Sequence, residues 1–376
     1  VRKELYGSLI TLEMGKPVSQ SVAEIEKCAW VCRYYAENAI DFLKSQRMNS
    51  TASLSQVSFE PLGTIFAVMP WNFPFWQVFR FAAPNLMAGN SGVLKHASNV
   101  SGCALAIEEV FRKAGFPENL FRTLLVSSKN VKAIIEDEKI QAVTLTGSVP
   151  AGRSVASIAG NSIKKTVMEL GGSDPYVILE DADLEKAAMS CVNSRLINAG
   201  QSCIAAKRFI IVEKVYDEFE RLYLDFMSRK KMGDPLDEKN DLGSQASIQL
   251  RDELHDQVLR SLQRGAKLLL GGNIPDLDGA YYPPTVLSNV KPGIAAFDEE
   301  LFGPVAALIK AKDQDEAIEL ANKSIFGLGA AVFTNDQDRG ERIAKEKLNA
   351  GCCFVNDFVK SDPRLPFGGI KESGYG

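Results

Sequence analysis

Three side chains of this sequence have the types and settings that acyl chemistry needs. Cys203 stands in Asn198-Ala199-Gly200-Gln201-Ser202-Cys203, where a helical run of small and branched residues, Ala187 to Ile197, breaks at Ala199-Gly200 and a thiol appears in the following turn. A thiol on a turn can be presented to a ligand, and its thiolate is the best nucleophile among natural side chains. A free cysteine is more often a small buried hydrophobe, so Cys203 needs partners. Glu169, in Met168-Glu169-Leu170-Gly171-Gly172, closes the apolar stretch Lys165 to Leu170 and precedes two glycines that permit close backbone approach. It is a candidate general base. Asn72 lies between two prolines in Pro70-Trp71-Asn72-Phe73-Pro74, so its backbone is fixed and its amide could donate to an oxyanion. Taken alone, that segment is a stiff aromatic turn.

These three segments, with Glu300-Leu301-Phe302-Gly303-Pro304 and Pro366-Phe367-Gly368-Gly369-Ile370-Lys371, resemble in order the signature of the aldehyde dehydrogenase superfamily. The resemblance implies oxidation of an aldehyde to a carboxylic acid. Cys203 would add to the carbonyl, with the oxyanion held by the Asn72 amide and the Cys203 backbone N–H. Hydride would pass to a nicotinamide, and Glu169 would deprotonate the water that releases the thioester. Two alternatives stay open. An enzyme of the same fold could release the acyl group to coenzyme A, although such members typically lack the carboxylate found at Glu169. A non-catalytic descendant would be expected to lose Cys203, Asn72 or Glu169, and all three are present.

The strand-like run Ala142 to Thr146 ends in Gly147-Ser148, and Pro150 sits where a starting helix tolerates a missing N–H, with Ser148 placed to cap. Such a helix start suits a pyrophosphate, but capped starts are common and the three-glycine dinucleotide fingerprint is absent. The resemblance assigns Gly147, Ser148 and Gly152 to the dinucleotide, Lys95 to the adenosine ribose, Glu300 and Phe302 to the nicotinamide ribose and ring, and Trp71 and Leu170 to the same cofactor site. Many members carry an acidic residue at the position of Ser98, where it grips the ribose 2'-hydroxyl and repels a 2'-phosphate. Serine removes that repulsion. NADP is therefore expected to be tolerated or preferred, with NAD also usable.

The resemblance is greatest to bacterial succinate-semialdehyde dehydrogenases, through Trp-Asn-Phe-Pro-x-Trp-Gln-Val and Lys-His-Ala motifs. Arg80, eight residues after Asn72, takes the position of an arginine that meets the substrate carboxylate in that group, and Ser361 matches a serine assisting it. Ile197 stands where the commoner members have a second arginine. The competing role for Arg80 is a structural ion pair with a nearby Asp or Glu.

The 376 residues exceed what one core usually supports, so two domains or more are expected. Net charge is −4 and the isoelectric point near 5.6, which offers no basic field for nucleic acid or an anionic membrane. No apolar run reaches spanning length and no leader pattern opens the chain, so a cytoplasmic location is expected, while the resemblance implies a small aldehyde as substrate. Seven cysteines without Cys-x-x-Cys spacing, and two histidines, argue against a metal site. Alternation of strand and helix patterns predicts a doubly wound α/β arrangement, and the resemblance implies the aldehyde dehydrogenase fold. It would comprise a Rossmann-like dinucleotide-binding domain over 1–43 and 61–170, an oligomerisation hairpin over 44–60 and an α/β catalytic domain over 171–376. Measured against the family pattern, both ends look cut. The resemblance implies a homodimer or homotetramer.

Overall fold

The computed structural model describes residues 2–376. The chain divides into two compact units, one of residues up to 13, 21–168 and 363–365, the other of residues 14–20, 169–362 and 366–376. In the first, the opening helices Lys3–Met14 and Val18–Phe42 meet at Gly15-Lys16-Pro17, where the sequence marks a break. A two-stranded antiparallel ribbon, Gln46–Arg47 with Gln56–Val57, follows. It exposes Met48, Leu54, Val57 and Phe59.

The remainder of the first unit is built on a parallel sheet. Phe121–Thr123, Ser91–His96, Thr64–Met69, Ile140–Thr146 and Lys165–Glu169 lie side by side in that order. In chain order this is 3-2-1-4-5, the doubly wound arrangement, with its reversal between Thr64–Met69 and Ile140–Thr146. Ligands bind open parallel sheets beyond the carboxyl ends of the strands at such a reversal. The two segments that leave those strand ends are Pro70–Pro74 and Gly147-Ser148. Strand residues Ile65, Phe66, Ala67, Val143 and Leu145 are buried, as helix-covered parallel strands require.

The second unit holds a seven-stranded sheet ordered Lys267–Leu270, Thr285–Ser288, Val305–Ala311, Arg208–Val212, Pro175–Ile178, Gly329–Phe333 and Cys352–Val355. All pairings are parallel except the first, which is antiparallel. Successive residues feed two cores: Val177, Ile210 and Cys353 pack on one side, Tyr176, Phe209 and Cys352 on the other. The adjacent cysteines Cys352 and Cys353 thus face opposite sides of the sheet. The strand Thr285–Ser288 was not anticipated, because Pro283-Pro284 before it and Asn289 after it leave only four residues of pattern.

Residues 14–20 join the second unit through specific bonds. Val18 N–H donates to Pro235 O at 2.8 Å, and Gln20 Oε1 accepts from Asn198 N–H at 2.8 Å. Among the described residues no helix is long and apolar enough to cross a membrane, and no group of His, Cys, Asp or Glu is arranged to hold a metal ion.

Candidate active site

The turn that carries Cys203 is held in a conformation that few sequences adopt. Helix Leu184–Leu196 begins on Asp183, whose side chain accepts from Lys186 N–H, and ends at Ile197. Asn198, Ala199 and Gly200 then take left-handed backbone angles, with φ of 52°, 49° and 77°. For alanine this is unfavourable by roughly 1–2 kcal/mol, so surrounding bonds must fix it. They do. Gln201 and Asn198 exchange side-chain and backbone bonds, Gln201 Oε1 accepts from Ala246 N–H at 2.8 Å, and buried Arg195 donates to Gly200 O at 2.7 Å. A side chain on Gly200 would run into the backbone of Gly303. The result is a buried, rigid turn whose next exposed group is the half-buried Cys203.

Glu169 ends its strand buried, at 8% exposure. The two glycines after it are needed for the approach the sequence predicts. A Cβ on Gly171 would meet Glu300 Oε2, and one on Gly172 would lie 2.8 Å from Cys203 O. Gly172 N–H donates to Glu300 Oε1 at 3.0 Å. The pair Gly171-Gly172, directly after Leu170 and two residues beyond Glu169, thus lies against the Glu300 carboxylate and the Cys203 carbonyl. Leu170, also buried, is tied down by its N–H bond to Ser373 O. Burial pushes the Glu300 carboxyl up, against the pull of Lys207. Glu300 and Phe302 line a cavity of about 780 Å³ with Leu254, Gln257 and Arg260. Ser361 is buried in the same unit.

Sequence reasoning missed a buried charged cluster behind this turn. Lys207, Arg195, Arg208 and Asp174 are each at most 1% exposed. Arg208 donates to the carbonyls of Ser173, Leu320 and Ala321. Burial raises the Asp174 carboxyl to about 7, opposed most by Lys207. The available signal was Lys207-Arg208 entering an apolar strand, since two adjacent cations there must find partners.

In the first unit, Asn72 is buried and its loop is clamped from two sides. His96 Nε2 donates to Pro74 O at 2.9 Å while its Nδ1 accepts from Ala97 N–H at 2.9 Å. Glu24 accepts from the N–H groups of Phe75 and Trp76 at 2.8 and 2.9 Å, supplying an N-terminal cap for helix Trp76–Met87. Burial holds the His96 imidazole at about 4, so it is neutral and can accept at Nδ1. Neither clamp follows from the Asn72 motif itself.

Lys95 ends its strand with the ammonium donating to His96 O at 3.0 Å, its pKa lowered by burial. Ser98 is exposed just beyond. Ser148 caps helix Val149–Asn161 by accepting from Ala151 N–H at 3.5 Å, with Pro150 in the first turn and Gly152 buried. No acidic side chain occupies that first turn, so its positive end is left for an anion. Trp71 is half-buried in the Asn72 loop. Arg80, half-buried on helix Trp76–Met87, donates from Nη2 to Thr146 Oγ1 at 3.4 Å, one residue before Gly147.

The aldehyde dehydrogenase family model matches residues 1–376. The chain belongs to the aldehyde dehydrogenase family. Among curated members it is 50% identical over 375 residues to the probable NADP(+) succinate-semialdehyde dehydrogenase of Synechocystis sp., covering all of this chain and 82% of that one. It is 49% identical to the NAD(P)+ succinate semialdehyde dehydrogenase of Escherichia coli K12, over 100% and 81% of the two chains. Among solved structures, the succinic semialdehyde dehydrogenase of Streptococcus pyogenes in complex with NADP+ superposes with a TM-score of 0.97 at 38% identity, over 100% and 82% of the chains. The expected aldehyde dehydrogenase fold is therefore the observed one.

Proposed function

We propose that this aldehyde dehydrogenase oxidises succinic semialdehyde to succinate with NADP+ or NAD+. The observation that carries the reading is the approach of Gly171-Gly172, two residues beyond Glu169, to the Glu300 carboxylate and the Cys203 carbonyl. The similarity to succinate-semialdehyde dehydrogenases and the arginine at position 80 support the substrate.

The dinucleotide fits the residues present. The positive end of helix Val149–Asn161, free of acidic side chains in its first turn, would take the pyrophosphate, with Gly147, Ser148 and Gly152 around it. Lys95 and Ser98 would face the adenosine ribose, Glu300 and Phe302 the nicotinamide side, with Trp71 and Leu170 beside them. The lack of a carboxylate at Ser98 favours acceptance of a 2'-phosphate. When bound, the nicotinamide supplies the hydride acceptor.

The chain's own residues carry the other steps. Cys203 Sγ, as thiolate, adds to the aldehyde carbon to give a thiohemiacetal, and the oxyanion is taken by the Asn72 amide and the Cys203 N–H. Loss of hydride leaves a thioester on Cys203. Glu169 removes a proton from water, the resulting hydroxide displaces the thiolate, and the acid leaves. Arg80 pairs with the distal carboxylate, assisted by Ser361. We further propose a cytoplasmic homodimer or homotetramer, supported by the apolar residues exposed on the ribbon at 46–57.

The test is cofactor reduction followed by absorbance, with succinic semialdehyde and butanal, each with and without coenzyme A. Turnover that requires coenzyme A would replace hydrolysis by acyl transfer. No reduction with any aldehyde, by a protein that binds the dinucleotide, would support a non-catalytic member.

A further inference from the structure

Directly behind the Cys203 turn lies a cation with no counterpart in the chemistry described so far. Lys207 opens the chain into strand Arg208–Val212 and is fully buried. Its Nζ donates to the carbonyls of Ser202 at 3.0 Å, Cys203 at 2.9 Å and Ala205 at 3.0 Å, and lies 3.7 Å from Glu300 Oε1. An ammonium carries three protons and a neutral amine two. Three carbonyl acceptors therefore match the charged form, although burial favours the neutral one. The opposition to burial comes first from Glu300 and then from Asp174 and Cys203.

We propose that Lys207 is a positioning residue of this enzyme, acting through the Ser202 and Cys203 peptides on the nucleophile. Three consequences follow from its contacts. Binding both carbonyls locks the turn that the left-handed residues 198–200 begin. The Ser202 carbonyl shares its peptide group with the Cys203 N–H, so a cation on the oxygen polarises the N–H and makes it a stronger oxyanion donor. A fixed positive charge behind Cys203 also favours the thiolate. Lys207 touches neither substrate nor cofactor in this role. The inference rests on reading Cys203 as the nucleophile.

The charges around Lys207 come from every side. Glu300 faces it from the loop after Asp298, Asp174 from the segment after Glu169, and Arg195 from helix Leu184–Leu196. Arg208, next in the chain, turns away to the carbonyls of Ser173, Leu320 and Ala321. Among the described bonds, Lys207 is the cation that meets the Ser202 and Cys203 carbonyls, so its removal should be felt most at that thiol.

The experiment measures the pH dependence of Cys203 alkylation by iodoacetamide in the free enzyme, with the modified thiol identified by mass spectrometry, beside kcat and KM for the aldehyde. Lys207→Met removes charge and bonds, Lys207→Gln keeps a donor without charge, and Lys207→Arg keeps the charge. Lys207→Met and Lys207→Gln are expected to raise the alkylation midpoint by about one pH unit or more. Each should lower kcat on the order of 30-fold with KM changed less than about threefold, and Lys207→Arg should recover the midpoint. Where Lys207→Met does not fold, Lys207→Gln decides. An unchanged midpoint and kcat in a folded Lys207→Gln enzyme would overturn the proposal. Retained turnover in Cys203→Ser would instead overturn the nucleophile assignment, so the two failures are distinguishable.

Discussion

The Cys203 turn and the Gly147-Ser148 turn are built differently, as the different work proposed for them requires. The Cys203 turn combines three successive left-handed residues, a glycine packed against Gly303 and a set of fully buried cations. The Gly147-Ser148 turn is an ordinary capped helix start, exposed at Ser148 and free of acidic residues in its first turn. A reacting atom must be held within fractions of an ångström, and that demands overdetermined packing. An anion is served by aligned backbone N–H groups, which any well-capped helix offers. Changes at the first turn should therefore strike catalysis, and changes at the second should strike cofactor choice and affinity.

The largest break in that contrast is Cys203→Ala. Turnover should fall on the order of 10⁴-fold or more, while dinucleotide binding, followed by fluorescence quenching, stays close to wild type. Comparable losses in both would mean that the thiol turn also builds the cofactor site. Glu169→Gln comes next. Hydride transfer should proceed once and then stall, giving a single burst of reduced cofactor before a slow steady rate. A steady rate equal to wild type would show that another group activates water.

What could be read from the sequence follows the same division. The parallel sheets were legible from alternating apolar runs, and the Gly171-Gly172 approach from the absence of side chains. Ser148 and Pro150 announced their helix start by local chemistry alone. Lys207, Arg195 and Asp174 were not legible as a cluster. Their partners lie on separate elements, and a buried charge looks in sequence like a solvated one. His96 and Glu24 were hidden for the same reason: Glu24 reaches Phe75 and Trp76 across some fifty residues of chain.

Arg80 sharpens the contrast at intermediate size. A guanidinium in bidentate contact with a substrate carboxylate is a charged hydrogen bond, so Arg80→Ala should weaken use of succinic semialdehyde by ~2–4 kcal/mol in kcat/KM while barely changing butanal. Its bond to Thr146, beside the turn proposed to hold the dinucleotide, defines the other outcome. Equal losses on both aldehydes, with weaker dinucleotide binding, would make Arg80 a support of the cofactor turn.

The clamp on the Asn72 loop gives a pH signature of its own. The His96 imidazole lies at about 4 in the folded protein against an ordinary value near 6.5. A depressed histidine leaves the folded state without a proton that the unfolded state binds in this window. Stability is thus fully present above about 6.5 and is lost as pH falls through the window toward about 4, by at most ~3 kcal/mol. His96→Gln should flatten this part of the stability profile, measured by urea melts at each pH. A profile unchanged by the substitution would assign the acid sensitivity to other groups.

The smallest effect tests the cofactor turn by charge alone. Ser98 is exposed, and a carboxylate there would meet water on one side and a 2'-phosphate on the other. At a separation of about 4 Å in a largely aqueous dielectric, one unit of like charge against another amounts to ~1–2 kcal/mol. Ser98→Asp should therefore raise KM for NADP+ on the order of tenfold and leave KM for NAD+ unchanged or lower, since the ribose hydroxyl gains an acceptor. Screening predicts that the difference shrinks as salt is raised from 0.01 to 1 M, over which the Debye length falls from about 30 to 3 Å. Neither kcat nor Cys203 alkylation should respond, because the substitution touches the binding turn and not the reacting one. A fall in kcat with both cofactors would break the division of labour between the two turns. An NADP+ KM that stays put would remove Ser98 from the 2'-phosphate's surroundings.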